Sequence, residues 1–564
     1  MTILHTLIVS FLFCLLHGVQ ATEGSGGSSG DSPGDNPAQW SGWGGNIHNN
    51  RWSAQNNLLS SANIRSLADH CTLNFPIGVS ATPVVSGDAV YFPTWDGLFV
   101  ALDYRSCRVL WQVNVTSIIH NFKTPTPFQA QNTRPVSRTS PQIDGNVVYF
   151  GTLTHALVVA VSKTTGRTLG VVQINDHPLA IITMSPTFFD GKLFVGTSST
   201  EENVTLLPGY RCCSFVGNMV AVAFNAASGR FRVVWDISSI SKPRQREGWA
   251  GAALWGSQPS IDVSRRLVFV GTGNAYSLSN ATIHCQASRV PPEVPYTTNI
   301  DTCLPSDVWQ DSVLAINLDS GRVAWVQQRP GVDMFTAACG YPNFGPQNTE
   351  LCRGIPGPDS DFGMAPTFVP SSRHSGGGDK VVVGRKNGEL YALSPQDGHI
   401  FWVTVTSPKG ITGGLSWGIA VDDSRAYFTA INSDYKTWQL QPSGQTITRS
   451  AYGAVSLSNG AVLWETAVPR SGLSLGPPTV VGDLVLVART GQDPNGTASY
   501  DQSQGGLVAL NKVTGGVIQD LVLSTNFHGG VAIEGQYVLF GTGYSGFGAP
   551  ALVPGVFHVM KVRT

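Results

Sequence analysis

The stretch AVYFPTWDGLFVALDYRSCRVLW, Ala89 to Trp111, decides how the chain is read. An apolar run, Val90-Tyr91-Phe92, meets a turn at Asp96-Gly97. A second run, Leu98 to Leu102, enters a turn before Arg108, and a third closes on Trp111. Apolar runs separated by Gly/Asp turns are the signature of antiparallel hairpins. The second half of this unit returns as AVSKTTGRTLG from Ala160, AFNAASGRFRVVW from Ala223 and AINLDSGRVAW from Ala315. It returns again as ALSPQDGHIFW from Ala392, AVSLSNGAVLW from Ala454 and ALNKVTGGVIQ from Ala509. The first half recurs as VVYFGT, KLFVGT, LVFVGTGN, KVVVGRKNG, RAYFTAIN, LVLVART and YVLFGTG, which with the opening unit makes eight.

Units of about four strands that repeat along a chain imply a propeller, in which each blade buries its faces against its neighbours. The sequence therefore predicts an all-β, eight-bladed β-propeller over residues 40–564, the first and last segments sharing one blade. The recurring Trp reads as a blade-docking residue. Unit spacing runs from 55 residues (509−454) to 92 (315−223), so some blades carry long insertions.

Only 13% of the 564 residues are charged, with 63 Gly and 34 Pro, about half the usual ~25% charge of globular chains. The formal net charge of −1 offers no footprint for nucleic acid or an anionic membrane. Residues 1–21 read as a signal peptide, with an apolar run Leu7 to Leu16 and Val19-Gln20-Ala21 as cleavage site. No later stretch is long and apolar enough to span a membrane. Residues 22–39 read as a flexible leader, and the chain as secreted. Eight cysteines follow the signal, an even number that suits disulfides in an exported protein; proximity suggests Cys71–Cys107, Cys285–Cys303 and Cys339–Cys352. Sequons at Asn114, Asn203, Asn280 and Asn495 are compatible with glycosylation.

Polar residues at strand ends concentrate where blade loops converge: Glu201-Glu202 after KLFVGTSST, Asn274 ending LVFVGTGN, Asp307 and Asp311, and Lys386 in the turn GRKNG. Carboxylates with an amide oxygen suit a hard cation such as Ca²⁺. These repeats and loops resemble the quinoprotein alcohol dehydrogenases, which bind pyrroloquinoline quinone (PQQ) with Ca²⁺, and within them the polyvinyl-alcohol-dehydrogenase-like subgroup. The opening WSGWGGNIHNNRWS resembles that family's N-terminal segment.

The resemblance implies Glu201, in GTSSTE, and Asn274, in GTGN, as metal ligands, with Asp307 as third ligand. It implies Trp255, nineteen residues before Asn274 (274−255) and outside the docking slot, as the floor beneath the quinone. Lys386 corresponds to the basic residue that contacts the quinone carbonyls, Arg138 and Thr183 to contacts with the cofactor's carboxylates, and Ser198 to a neighbouring polar contact. Asp307 is implied as the catalytic base, one residue off the family's place, with Asp311 its rival. Cys212-Cys213 matches the family's vicinal disulfide in kind, though it follows the glutamate loop here. Ser416 stands where an amide often meets the quinone, LSLGPPTVVGD lacks a cavity Trp, and no C-x-x-C-H haem site is present.

The activity implied is oxidation of an alcohol, polyol or sugar to aldehyde or ketone, with electrons leaving to an external acceptor. A non-catalytic secreted propeller that binds or scaffolds is the alternative, and a polysaccharide hydrolase or lyase a further one.

Overall fold

The structure, a computed structural model, describes residues 40–288, 301–329, 331–339, 352, 356–410, 413–492, 504–544 and 553–563. The expected signal peptide and leader, and the sequon at Asn495, lie outside the described residues.

Eight sheets of antiparallel strands follow one another as blades of a propeller. Blade 1 is Val84–Ser86, Ala89–Pro93, Leu98–Asp103 and Arg108–Asn114. Blades 2 to 7 begin at Gln142–Asp144, Thr187–Phe189, Ser260–Asp262, Thr367–Val369, Ala420–Val421 and Thr479–Val481. Blade 8 takes Ala532–Glu534, Tyr537–Gly541 and Gly555–Lys561 from the C-terminal end and Ala68–Phe75 from the N-terminal end. The two ends of the array therefore share a sheet, as expected. Phe557 of blade 8 stacks on Phe92 of blade 1 with ring centroids 3.8 Å apart, which closes the ring with an apolar contact.

Burial follows position in the blade. The middle strands Val147–Gly151 and Leu157–Ser162 are buried at every residue, because both faces of the sheet meet another blade. The fourth strand, such as Ile400–Val405, alternates half-buried and exposed residues. This is why the second and third strands read as unbroken apolar runs and the fourth does not.

The recurring Trp does dock blade to blade. Each indole N–H donates to a carbonyl in the turn of the following blade: Trp111 to Lys163, Trp235 to Leu318, Trp325 to Pro395, Trp402 to Leu457 and Trp464 to Lys512. The Gly of that turn is fixed twice over. At Gly321 the backbone is left-handed (φ +71°), and a Cβ would stand 2.7 Å from Trp235 Cγ.

The N-terminal segment lines the first strands of the blades. Carbonyls of Trp40, Ile47, His48, Asn50 and Arg51 accept from the N–H of Val85, Ile261, Phe368, Val421 and Val480, in blades 1, 4, 5, 6 and 7. Edges that would otherwise be bare are thereby paired. Arg51 is wholly buried and donates to Pro478 O, Thr479 Oγ1, Val531 O and Thr82 Oγ1, with its guanidinium 4.5 Å from the Trp43 ring. Burial pulls its pKa down to about 9.

Candidate active site

The loops leaving the ends of blades 3, 4 and 5 converge on one polar cluster. Segment 250–255 crosses from blade 3 to blade 4. Leu254 N–H donates to Thr197 O (2.9 Å) and Gly273 N–H to Ala253 O (2.8 Å), so the segment is stitched to both GT strand ends. Trp255 follows, and its carbonyl accepts from Thr183 Oγ1 at 2.7 Å. The Trp255 indole N–H donates to Asp361 Oδ2 at 2.9 Å. Asp361 Oδ1 accepts the backbone N–H of Asn274 at 2.7 Å. Room for this carboxylate depends on Gly273, where a Cβ would stand 3.0 Å from Asp361 Cγ.

Lys386 completes the group. Its Nζ pairs with Asp361 Oδ2 at 3.1 Å and Asp359 Oδ1 at 2.7 Å, and lies 5.4 Å from the Trp255 ring centroid. Its N–H donates to Asp361 O, so backbone and side chain hold the same aspartate. The loop carrying Asp359 and Asp361 is fastened from behind by Asp333, whose carboxylate accepts the N–H of Asp359 (3.1 Å) and of Ser360 (2.7 Å). Asp311 is buried and paired with Arg385.

Carboxylates outnumber cations here: Glu202, Asp311, Asp333, Asp359 and Asp361 face Arg385 and Lys386. Desolvation pushes Asp333 and Asp359 well above the usual carboxylate range, raises Asp311, and carries Glu202 up to about 7. Asp311 Oδ1 and Asp359 Oδ2 are buried without a hydrogen-bond partner. A surplus of desolvated carboxylates is unfavourable unless a cation or a proton offsets it.

Beside the cluster lies a cavity lined by Trp43, Ser80, Arg138, Thr183, Trp255 and Trp417, among others. Trp417 meets Trp255 edge-on at 5.6 Å, and the Arg138 guanidinium lies 5.9 Å from the Trp417 ring.

Of the residues singled out from sequence, the fold brings Arg138, Thr183, Trp255, Asn274 and Lys386 to this region, with Asp311 behind it on Arg385. Three others go elsewhere. Asp307 sits at the surface, paired with Arg244 Nε at 2.9 Å and accepting from Ser241 Oγ at 2.6 Å, because its backbone is tied to the loop before Lys242–Arg246. The expected convergence of Glu201, Asn274 and Asp307 is not seen. The Glu201 carboxylate is fully buried and accepts the N–H of Ser214 and Phe215 (3.0 and 2.8 Å) and the hydroxyl of Tyr210 (2.6 Å). Its neighbour Glu202 is the one within electrostatic reach of Lys386 and Asp361. Ser198 is buried in the strand Ser198–Ser199, paired with Ala180–Ile181, and is not among the cavity residues.

Cys212 and Cys213 are disulfide-bonded to each other, beside the loop Glu201 holds; Cys71–Cys107, Cys285–Cys303 and Cys339–Cys352 are the other bridges. Asp361 and Asp359 are the residues that sequence reading missed. The motif DSDFG, 25 positions before Lys386 (386−361), is the signal that could have found the aspartates.

Does this region suit PQQ and a cation? A planar polyanion needs aromatic faces and cationic or hydroxyl partners, and Trp255, Trp417, Arg138 and Thr183 provide them. Among the described residues no three His, Cys, Asp or Glu side chains form a metal site unaided. A cation would therefore need the Asn274 amide oxygen beside Glu202 and Asp361. Asn274 is oriented for that: its Nδ2 donates to Ala275 O and Phe335 O, leaving Oδ1 as the free end. The residues fit both groups.

A family model described as outer membrane protein assembly factor BamB, of the PQQ_2 type, matches residues 71–327 and 386–544. The chain belongs to the PQQ_2 family. This PQQ_2 chain is 28% identical over 450 residues to a polyvinylalcohol dehydrogenase of Pseudomonas sp, covering 77% of this chain and 60% of that protein. It is 29% identical over 402 residues to a polyvinylalcohol dehydrogenase of Sphingopyxis sp. (strain 113P3), covering 69% of this chain and 54% of that one. The match thus spans little more than half the length of these relatives. The quinohemoprotein alcohol dehydrogenase of Comamonas testosteroni shares the fold, with a TM-score of 0.63 and 16% identity over 93% of this chain and 80% of that one.

Proposed function

We propose that this PQQ_2 chain is an exported quinoprotein dehydrogenase that oxidises an alcohol to an aldehyde or ketone with PQQ and Ca²⁺, passing electrons to an external acceptor. The observation that carries the reading is the contact set on Asp361: the Trp255 indole, the Asn274 amide and the Lys386 ammonium all converge on one carboxylate at an aromatic wall. The likeness to two polyvinylalcohol dehydrogenases supports an alcohol as substrate. Four disulfides support export to an oxidising compartment. No helix among the described residues is long and apolar enough to cross a membrane.

When bound, PQQ supplies a quinone carbon that accepts hydride, and the cation polarises its carbonyl. The chain's own residues do the rest. Trp255 and Trp417 shape the slot for a planar ring, and Arg138 and Thr183 take its carboxylates. Glu202 and Asn274 Oδ1, beside Asp361, would hold the cation. Asp361, positioned by the Trp255 indole, the Asn274 N–H and the Lys386 ammonium, serves as the general base for the alcohol proton. Lys386 would place its positive charge beside a bound quinone. Asp311 neutralises Arg385 and stands behind the reaction.

Titration of the purified protein with PQQ, with and without Ca²⁺, followed by quenching of tryptophan fluorescence, tests this. Saturable quenching that requires Ca²⁺ and is lost in Lys386→Ala is expected. Absence of binding leaves a propeller that binds or scaffolds without chemistry.

A further inference from the structure

Trp43 belongs to the N-terminal segment that pairs with the first strands of the blades, yet it also lines the cavity beside Trp255 and Trp417. Its backbone is fastened on both sides. Gln142 Nε2, in blade 2, donates to Ser41 O at 2.9 Å. Gly44 N–H donates at 2.9 Å to Gln258 Oε1, two residues before blade 4 begins. The ring is held as well. Its tip sits over Gly418, the residue after Trp417: the backbone there has φ +114°, and a Cβ would overlap Trp43 Cη2.

Arg51 supplies the remaining support. Its guanidinium lies 4.5 Å from the Trp43 ring centroid and donates to the Trp43 carbonyl. Among the described residues every acceptor that this buried guanidinium meets is a carbonyl or hydroxyl oxygen, so no carboxylate neutralises its charge. Trp40, three positions before Trp43, has a different fate. It also lies near Arg51, at 5.4 Å, but it is 3% exposed and packs in the apolar core, whereas Trp43 is half-buried at the cavity. An indole fixed in this way has lost its freedom before a ligand arrives, so a planar ligand laid against it costs little ordering entropy. A buried cation with no acid beside it favours a ligand that carries negative charge.

We propose that Trp43 is a positioning residue of the cofactor cavity, a third aromatic wall beside Trp255 and Trp417 that helps to hold an anionic planar quinone. This rests on the cavity being the quinone site. The segment that pairs the inner strands of the blades thereby also completes the cavity, and Arg51 serves both tasks: it ties blades 7 and 8 to the segment through Thr479 and Val531, and it fixes the ring of Trp43.

Hydroxyl-radical footprinting of the wild-type protein, read by mass spectrometry with and without PQQ and Ca²⁺, tests this without any variant. Protection of both Trp43 and Trp255 on loading, with Trp40 unreactive throughout, is expected. Protection of Trp255 beside a Trp43 that reacts equally in both states overturns the wall role and leaves the quinone reading standing. PQQ that does not bind, or that binds and protects neither residue, removes the quinone reading and the wall role with it. Affinity gives a second readout. Trp43→Leu keeps apolar bulk and removes the aromatic face, and should weaken PQQ binding about 10-fold, the size of one lost aromatic contact. Trp43→Phe should restore affinity to within about threefold of wild type, and Trp40→Phe should lower Tm with PQQ affinity unchanged. A Trp43→Leu protein that binds PQQ within twofold of wild type overturns the proposal. So does a Trp40→Phe protein that loses as much affinity as Trp43→Leu, for binding then needs only a seated N-terminal segment.

Discussion

The indole of Trp255 and the carboxylate of Asp361, 106 positions apart in the chain, meet at 2.9 Å. Blade packing is what joins them. Trp255 hangs from the segment that sews blade 3 to blade 4, and Asp361 from the loop that enters blade 5. Asp361→Asn keeps an acceptor for the indole and removes the base. Turnover should fall by about 10²–10⁴-fold, with the far-UV spectrum and Tm unchanged. Steady-state kinetics beside a thermal melt measure both. The same substitution at Asp307, a surface residue paired with Arg244, should leave kcat as it was.

Glu201 and Glu202 are adjacent and do different things. They open a short helix, Glu201–Val204, in which successive side chains diverge by about 100°. Glu201 turns to the amides of Ser214 and Phe215, just past the Cys212–Cys213 bridge, and Glu202 turns to Lys386 and Asp361. Glu201→Ala strips charge-assisted bonds from a buried loop and should cost about 1.5–3 kcal/mol or more of stability. Glu202→Gln should instead weaken Ca²⁺-dependent PQQ binding while stability holds. Chemical denaturation and fluorescence titration of both variants separate the outcomes; equal effects would mean the two residues share one role.

How much of this was legible beforehand depends on what kind of regularity carried it. The repeat was legible because Gly321 and its counterparts must be glycine for the preceding blade's Trp to dock, so the units from Ala223, Ala315, Ala392 and Ala454 keep an Ala–Gly–Trp rhythm. The innermost strands, such as Val84–Ser86, are three residues long, too short for any periodicity to mark. Trp255 and Lys386 were found by position in a motif. Asp361 was not, because the long insertion after blade 4 hides which aspartate returns to the cluster, and Asp307 and Asp311 stand nearer the strand that follows. The orientation of Glu201 against Glu202 turns on one helical step that sequence does not display.

Stability should depend on pH through buried carboxyls. Burial carries both Glu202 and Glu465 up to about 7 from an ordinary value of 4.5. A carboxyl whose pKa is raised by folding imposes no penalty below about 4.5, where both states are protonated. It opposes folding increasingly as pH rises towards 7, where the unfolded chain ionises more readily. The cation-free protein should therefore lose Tm between pH 4.5 and 7, and Ca²⁺ should restore more of it at pH 7 than at pH 5. Differential scanning calorimetry across that range checks the sign. Glu465→Gln should flatten part of the slope without changing the response to Ca²⁺.

Blade docking makes a prediction of its own. Gly321→Ala puts a side chain on a left-handed backbone and a Cβ 2.7 Å from Trp235 Cγ. The strain alone costs about 1–2 kcal/mol, and displacement of the indole adds to it. A lowered denaturation midpoint with unchanged PQQ affinity is expected, since blades 3 and 4 must separate slightly at their outer edge, away from Trp255. A loss of PQQ affinity of the same size would tie the docking seam to the site.

The proposed function assigns alcohol oxidation through a bound quinone to the surface formed by Trp255, Asp361, Lys386, Asn274 and Glu202. The most direct measurement is the absorption spectrum of protein loaded with PQQ and Ca²⁺ under anaerobic conditions, recorded before and after one equivalent of 1-butanol. Reduction of bound PQQ in wild type, its loss in Asp361→Asn, and recovery of butanal is the result the account predicts. PQQ that binds and stays oxidised in the presence of alcohol, or is reduced equally well in Asp361→Asn, would contradict it.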